Sequence, residues 1–185
     1  MNHDHNHSLL SVLPSIQDHV KGELSATVVL VMYGDYQCSQ CAEVYRLIKD
    51  VQQQLNVSFW ENYLCFIFRH FPQRPIYPRA QRAAEAAEAA AAQGQFWQMH
   101  ETLFNHQHEL GDGYLVEYAS HLGLSIRQFL QDLSRGVYVD RINEDIEGGI
   151  QSGVMVAPAL FINNLQYTNQ WSIEPLMASI VNIIH

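Results

Sequence analysis

Thr27-Val28-Val29-Leu30-Val31-Met32-Tyr33-Gly34-Asp35-Tyr36-Gln37-Cys38-Ser39-Gln40-Cys41 is the stretch on which the fold turns. Its opening run is β-branched and apolar and stops at Gly34, the pattern of a strand buried on both faces. Beyond the short loop, Val44, Leu47, Ile48, Val51 and Leu55 recur at helical spacing. The Cys-x-x-Cys therefore lies where a strand turns into a helix, with Cys38 at the helix N-terminus. A second apolar run, Leu64-Cys65-Phe66-Ile67-Phe68, gives way to Arg69 and then Phe71-Pro72, and completes a β-α-β unit expected to be right-handed. Phe59-Trp60-Glu61-Asn62, between helix and strand, reads ambiguously.

From residue 75 to about 152 the periodicity changes to helical. An alanine-rich run over residues 80–92 allows close helix contacts, and Gly94, Gly111, Gly123, Gly136 and Gly153 punctuate the block. Four apolar faces are expected there: Phe96, Trp97, His100, Leu103 and Phe104; Leu115, Tyr118, Ala119 and Leu122; Phe129, Leu130 and Leu133; and Val139, Ile142, Ile146 and Ile150. The strand signal returns in Ala159-Leu160-Phe161-Ile162 and Leu165-Gln166-Tyr167. Asn163-Asn164 between them is a two-residue turn whose side chains tolerate positive φ, so a hairpin is predicted. Ser172 can cap a last helix, with Pro175 tolerated in its first turn and Leu176, Ile180 and Ile184 facing the sheet.

Composition narrows the function classes. The 185 residues suit one domain, or one domain with a sizeable insertion, and 48% hydrophobic against 16% charged residues is ample for a core. Ten Lys and Arg against nineteen Asp and Glu give −9, which argues against nucleic acid or anionic lipid as the main partner. No apolar stretch approaches the roughly 18 residues of a membrane span. The first residues carry His3, Asp4, His5 and His7 where a secretory leader would carry a basic region, so the expected compartment is the cytoplasm. Three cysteines are too few for a disulfide scaffold, and two of them form the Cys38-x-x-Cys41 pair.

The order of strand, Cys-x-x-Cys helix, strand, helical block, Ala157-Pro158, hairpin and helix resembles the thioredoxin fold with a helical insertion found in DsbA-like thiol oxidoreductases. Local strings are similar to the same group: Tyr33-Gly34-Asp35-Tyr36-Gln37-Cys38, Phe68-Arg69-His70-Phe71-Pro72, Gln81-Arg82-Ala83-Ala84-Glu85-Ala86-Ala87, Phe96-Trp97-Gln98-Met99-His100 and Pro158-Ala159-Leu160-Phe161-Ile162-Asn163. The fold class this implies is α/β, a thioredoxin-like fold with a mixed central sheet and an all-helical insertion. Residues 18–74 and 153–185 would form the thioredoxin-like domain, residues 75–152 the insertion, and residues 1–17 a flexible lead. The resemblance implies that Ala157–Pro158 is cis and faces the Cys-x-x-Cys, with the Ala157 backbone available to a bound substrate chain.

The chemistry needs this arrangement because a thiolate, not a thiol, attacks a disulfide sulfur, and an unperturbed Cys near pKa ~8.5 is mostly protonated at neutral pH. Unpaired N–H groups at the helix N-terminus favour an anionic Cys38 sulfur, while Cys41, a turn inside, is expected to be shielded. Cys38 is thus the expected nucleophile and Cys41 the resolving thiol; Tyr36, Ser39, Gln40, Ala157 and Pro158 are the candidate substrate contacts. Half a zinc site is the rival reading of the pair, but no second Cys pair or nearby Cys-His pair completes four ligands. Where DsbA has Pro-His between its cysteines this chain has Ser39-Gln40, and where the family often has Thr or Val before the proline it has Ala157. Asp35 adds a negative charge that opposes thiolate formation if it lies close. A weaker oxidant than DsbA is expected.

The remaining candidates read as structural. Cys65 is expected buried and inert. His3, His5 and His7 belong to the terminal tail, His100, His106 and His108 to surface or core-edge positions, and Arg69, Arg74, Arg79 and Arg82 to pairs with the excess acids. No metal or organic cofactor is implied. The partners implied are protein or peptide thiols and disulfides, with glutathione or a thioredoxin-type reductant to recycle the pair. Two other functions fit the same sequence, a peptide-binding chaperone-like module with secondary redox activity and a glutathione-using transferase or isomerase of related fold.

Overall fold

The computed structural model describes residues 8–57 and 63–184. The ambiguous residues 59–62 and the terminal histidines His3, His5 and His7 lie outside that range. A five-stranded mixed sheet runs in the order β1-β3-β2-β4-β5. Its strands are β1 (His19–Lys21), β2 (Val28–Gly34), β3 (Leu64–His70), β4 (Ala159–Ile162) and β5 (Leu165–Gln166). β2 and β3 are parallel with Gly34 opposite His70, and the three other pairings are antiparallel. Helix α1 (Ser39–Val57) makes the crossover between β2 and β3. Its Val44, Ile48, Val51 and Leu55 are buried, as their spacing predicts.

Between β3 and β4 the described chain forms α2 (Ala80–Ala91), α3 (Phe96–Asn105), α4 (Asp112–His121), α5 (Ile126–Arg135) and α6 (Val139–Gln151). Residues 75–152 contain no strand. Small side chains let α2 sit at the centre of the block, where Ala83, Ala86, Ala87, Ala89 and Ala90 are fully buried and its neighbours approach closely. Two positions leave their expected faces: Leu130 is 47% and Ile150 60% exposed. The hairpin turns at Asn163 and Asn164, with φ of 44° and 71°. Helix α7 (Ile173–Ile184) then buries Leu176 and Ile180.

Two features depart from the sequence reading. The short edge strand β1 pairs His19 with Phe68 and Lys21 with Phe66. The second concerns residues 8–17, expected as part of a flexible lead: Ser8 to Leu10 run along the open side of the hairpin, and Ser11 to Leu13 continue to Ser152 and Arg69. The Leu10 N–H donates to the Asn164 carbonyl at 2.8 Å, Ser8 accepts from the Gln166 N–H at 3.0 Å, and the Leu10 side chain is buried. A two-residue edge strand leaves backbone groups unpaired, and this segment satisfies them.

Candidate active site

Strand β2 delivers the chain to the site and Gly34 releases it: a Cβ there would stand 2.5 Å from the Phe68 ring. The loop that follows is folded around Asp35, whose carboxylate accepts the N–H groups of Gln37 and Gln73, both at 2.8 Å, while its carbonyl accepts from Cys38 N–H at 3.2 Å. Burial raises the Asp35 carboxyl, against the lowering by these N–H groups. Cys38 stands immediately before α1 and uses its sulfur as an N-cap residue uses its oxygen, accepting the Cys41 N–H at 3.2 Å. Its carbonyl opens the helix by accepting from Ala42.

The two thiols are separated electrostatically. Hydrogen bonding from the Cys41 thiol, then from the Cys41 and Gln40 N–H groups, brings Cys38 down to about 7 against the opposing effects of burial and the Asp35 charge. Cys41 is pushed well above its ordinary value by burial, by its hydrogen bond to Cys38 and by the Cys38 charge. Cys38 is 3% exposed and Cys41 0%. Cys65 is buried in β3, and burial pushes it up to about 11.

Around Cys38 the structure brings together most of the residues singled out from sequence. Ser39 and Gln40 are exposed on the first turn of α1. The Ala157–Pro158 peptide bond is cis. The Ala157 carbonyl lies 3.8 Å from the Cys38 sulfur, while the Ala157 N–H donates to Gln73 Oε1 at 3.3 Å. Tyr36 is a correction. Expected as an exposed contact for substrate, it is 1% exposed, and its hydroxyl turns inward to His100 Nδ1 at 2.8 Å. His100, expected at the surface or core edge, is fully enclosed by Tyr36, Tyr45, Phe68, Phe96 and Phe104, and burial holds it well below its ordinary pKa and neutral.

Three residues near the sulfur carried no sequence signal. Tyr77 lies beside Cys38, whose charge is the first cause raising its phenol. Gln73 joins Asp35 to Ala157. Gln107, after α3, donates its side-chain amide to the carbonyls of both Tyr36 and Cys38 at 2.8 Å. Behind the site, Glu88 Oε1 accepts from His19 Nε2 at 2.6 Å and His70 Nε2 at 2.8 Å. Burial works to raise the Glu88 carboxyl, but these two imidazoles outweigh it and hold it well below the carboxylate range. Their donor atoms, all within 4.8 Å of one another, are the described set with the composition to hold a cation, and they are closed on one another by hydrogen bonds.

A Cys-x-x-Cys at the start of the helix after the central strand, facing the loop before β4, defines a thioredoxin-like protein. A thioredoxin family model, Thioredoxin_4, matches residues 15–182, and the chain belongs to that family. Among solved structures it superposes on BdbD of Bacillus subtilis with a TM-score of 0.80 at 19% identity, covering 96% of this chain and 98% of that one. For MdbA of Corynebacterium diphtheriae, a thiol-disulfide oxidoreductase, the values are 0.68, 17%, 97% and 97%. The fold is thus that of the DsbA-like proteins with a helical insertion. Among curated sequences, the chain is 35% identical over 90% of its length to a Na(+)/H(+) antiporter NhaA 1 of Salinispora arenicola, and 34% identical over 93% to one of Mycolicibacterium vanbaalenii. It spans about a quarter of the length of those relatives, 24% and 27%. No described helix is long and apolar enough to cross a membrane.

Proposed function

We propose that the chain is a thiol–disulfide oxidoreductase in which Cys38 attacks and Cys41 resolves. The observation that carries this is the placement of two neighbouring thiols: Cys38 at the N-terminus of α1 with its sulfur accepting the Cys41 N–H at 3.2 Å, and Cys41 fully buried one turn inside, which lowers the first thiol and raises the second. In the reducing direction the Cys38 thiolate attacks one sulfur of a substrate disulfide, forms the mixed disulfide and releases the other sulfur as a thiolate. Cys41 then attacks the Cys38 sulfur, giving up its proton to the released thiolate. A Cys38–Cys41 disulfide forms and the second substrate sulfur departs, so two electrons pass to the substrate. The oxidising direction is the reverse.

Protein or peptide thiols and disulfides are the proposed substrates. Ser39 and Gln40 beside the buried sulfur, with Ala157 and Pro158, are the proposed contacts, and Met155 at 87% and Val156 at 57% exposed immediately precede Ala157 in the chain. Glutathione or a thioredoxin-type reductant would return the pair to the dithiol. The rate of Cys38 alkylation should rise with pH through a midpoint near 7, because the folded protein lowers this pKa and the reactive thiolate is lost as pH falls through it. Stopped-flow alkylation of the reduced protein checks this; a midpoint near 9, or equal reactivity of Cys41, contradicts the assignment.

The lowering of Cys38 is opposed by burial and by the Asp35 charge. No histidine stands between the cysteines to stabilise the thiolate. The couple is therefore expected nearer thioredoxin's roughly −270 mV than DsbA's roughly −120 mV, a poise suited to work as a dithiol in the cytoplasm, which is the compartment proposed. Equilibration with a graded dithiol buffer measures the potential, and acid-quenched thiol trapping in cells reads the working state. A potential close to DsbA's, or a fully bridged pair in cells, overturns both direction and compartment.

A further inference from the structure

We infer that the side chain of Gln73 fills the seat a peptide backbone takes at Ala157, so that an incoming peptide displaces it. The inference rests on the exchange reading above and deepens it by specifying how the peptide docks. An extended chain laid antiparallel on one residue exchanges two hydrogen bonds with it, one to its N–H and one to its C=O. Both groups of Ala157 are engaged here: its N–H donates to Gln73 Oε1 at 3.3 Å, and its carbonyl faces the Cys38 sulfur at 3.8 Å. The second contact lapses by itself, because Cys38 has no S–H to donate once it is a thiolate or bonded to a substrate sulfur. The first remains. An amide oxygen has the acceptor chemistry of a peptide carbonyl, so Gln73 stands in for the substrate.

The surroundings suit a side chain that swings on a fixed backbone. Gln73 N–H donates to Asp35 Oδ2 at 2.8 Å, and its carbonyl accepts from the N–H groups of Ile76 and Tyr77, each at 2.9 Å. Those three bonds hold whatever the side chain does. Ala157 is only 2% exposed, so its N–H would be stranded in the idle protein without this partner. Gln73 supplies the bond at rest and yields it to a peptide. A disulfide with no peptide backbone reaches the sulfur without needing the seat, and this gives the inference its distinguishing readout.

The test uses the reduced full chain and two oxidants: a cysteine peptide, extended on both sides of its mixed disulfide, and dithiobis-nitrobenzoate, which has no backbone. Gln73→Ala should raise the second-order rate with the peptide about three- to tenfold, the worth of one neutral hydrogen bond. The rate with dithiobis-nitrobenzoate, which needs no hydrogen bond at Ala157, should change by a smaller factor, so that the ratio of the peptide rate to it rises. Gln73→Leu, which keeps the bulk and removes the acceptor, should behave alike and guards against a loop disturbed by the smaller residue. Peptide rates unchanged or lowered in both variants, or both oxidants altered in the same proportion, overturn the inference while exchange stands. Failure of the unmodified protein to react with either oxidant brings down the exchange reading, and this inference with it.

Discussion

Cys41→Ser is expected to turn the protein from a catalyst into a trap: turnover of a protein disulfide falls to the uncatalysed rate, and the substrate accumulates as a mixed disulfide on Cys38. The Cys38 sulfur retains a helix N-terminus in that variant, so attack continues, but nothing remains within reach to attack its bond in turn. Cys38→Ser should lose turnover equally and form no adduct, because burial leaves Cys41 protonated and 0% exposed. Mass spectrometry of the quenched reaction separates the two outcomes. Adducts carried on Cys41, or turnover surviving in Cys38→Ser, would reverse the roles.

Arg69→Ala should have the largest effect on stability, a loss of about 3–5 kcal/mol, the usual result of removing one partner from a buried ion pair. Arg69 and Asp18 are 3% and 6% exposed at their side chains, and the guanidinium grips the carboxylate through Nε at 2.8 Å and Nη2 at 3.1 Å. The same guanidinium donates to the Val12 carbonyl at 2.7 Å and to the Tyr33 hydroxyl at 3.0 Å. Truncation therefore strands a carboxylate and also releases the segment lying over the sheet. Urea unfolding gives the number; a loss under about 1 kcal/mol would place the pair in the energetic class of surface ion pairs. Removing Asp18 as well should recover part of the loss, since no charge is then left alone.

Legibility in the sequence followed the physics of each element. β2, β3, β4 and α1 each bury a contiguous or strictly periodic set of side chains, so their apolar patterns survive in one dimension and set Cys38 and Cys41 at a strand-to-helix junction, whereas the place of Pro158 opposite them is legible only through the family resemblance. β1 is three residues long and owes its extended form to β3, a partner more than forty residues away in the chain. Tyr36 and His100 look like surface chemistry in sequence because each has a polar atom. Only packing reveals that those atoms meet each other at 2.8 Å inside a shell of rings. His19, His70 and Glu88 come from three separate segments, and no local spacing announces such a set. Gln73 and Tyr77 sit between β3 and α2, outside any helix or strand, where neither period applies.

The hydrogen bonds of Gln107 have a consequence for how the protein holds its reactive atom. One side-chain nitrogen, carried by the segment between α3 and α4, is shared by the carbonyls on either side of Gln37, those of Tyr36 and Cys38. The sulfur's coordinates are thereby referenced to two bodies at once, the sheet through β2 and the helical block through this amide. A substitution that tilts the block is read out as a displacement of the sulfur even when it lies far from the groove. The insertion is part of the chassis on which the reacting atom is mounted, and drift in its packing is drift in the active geometry.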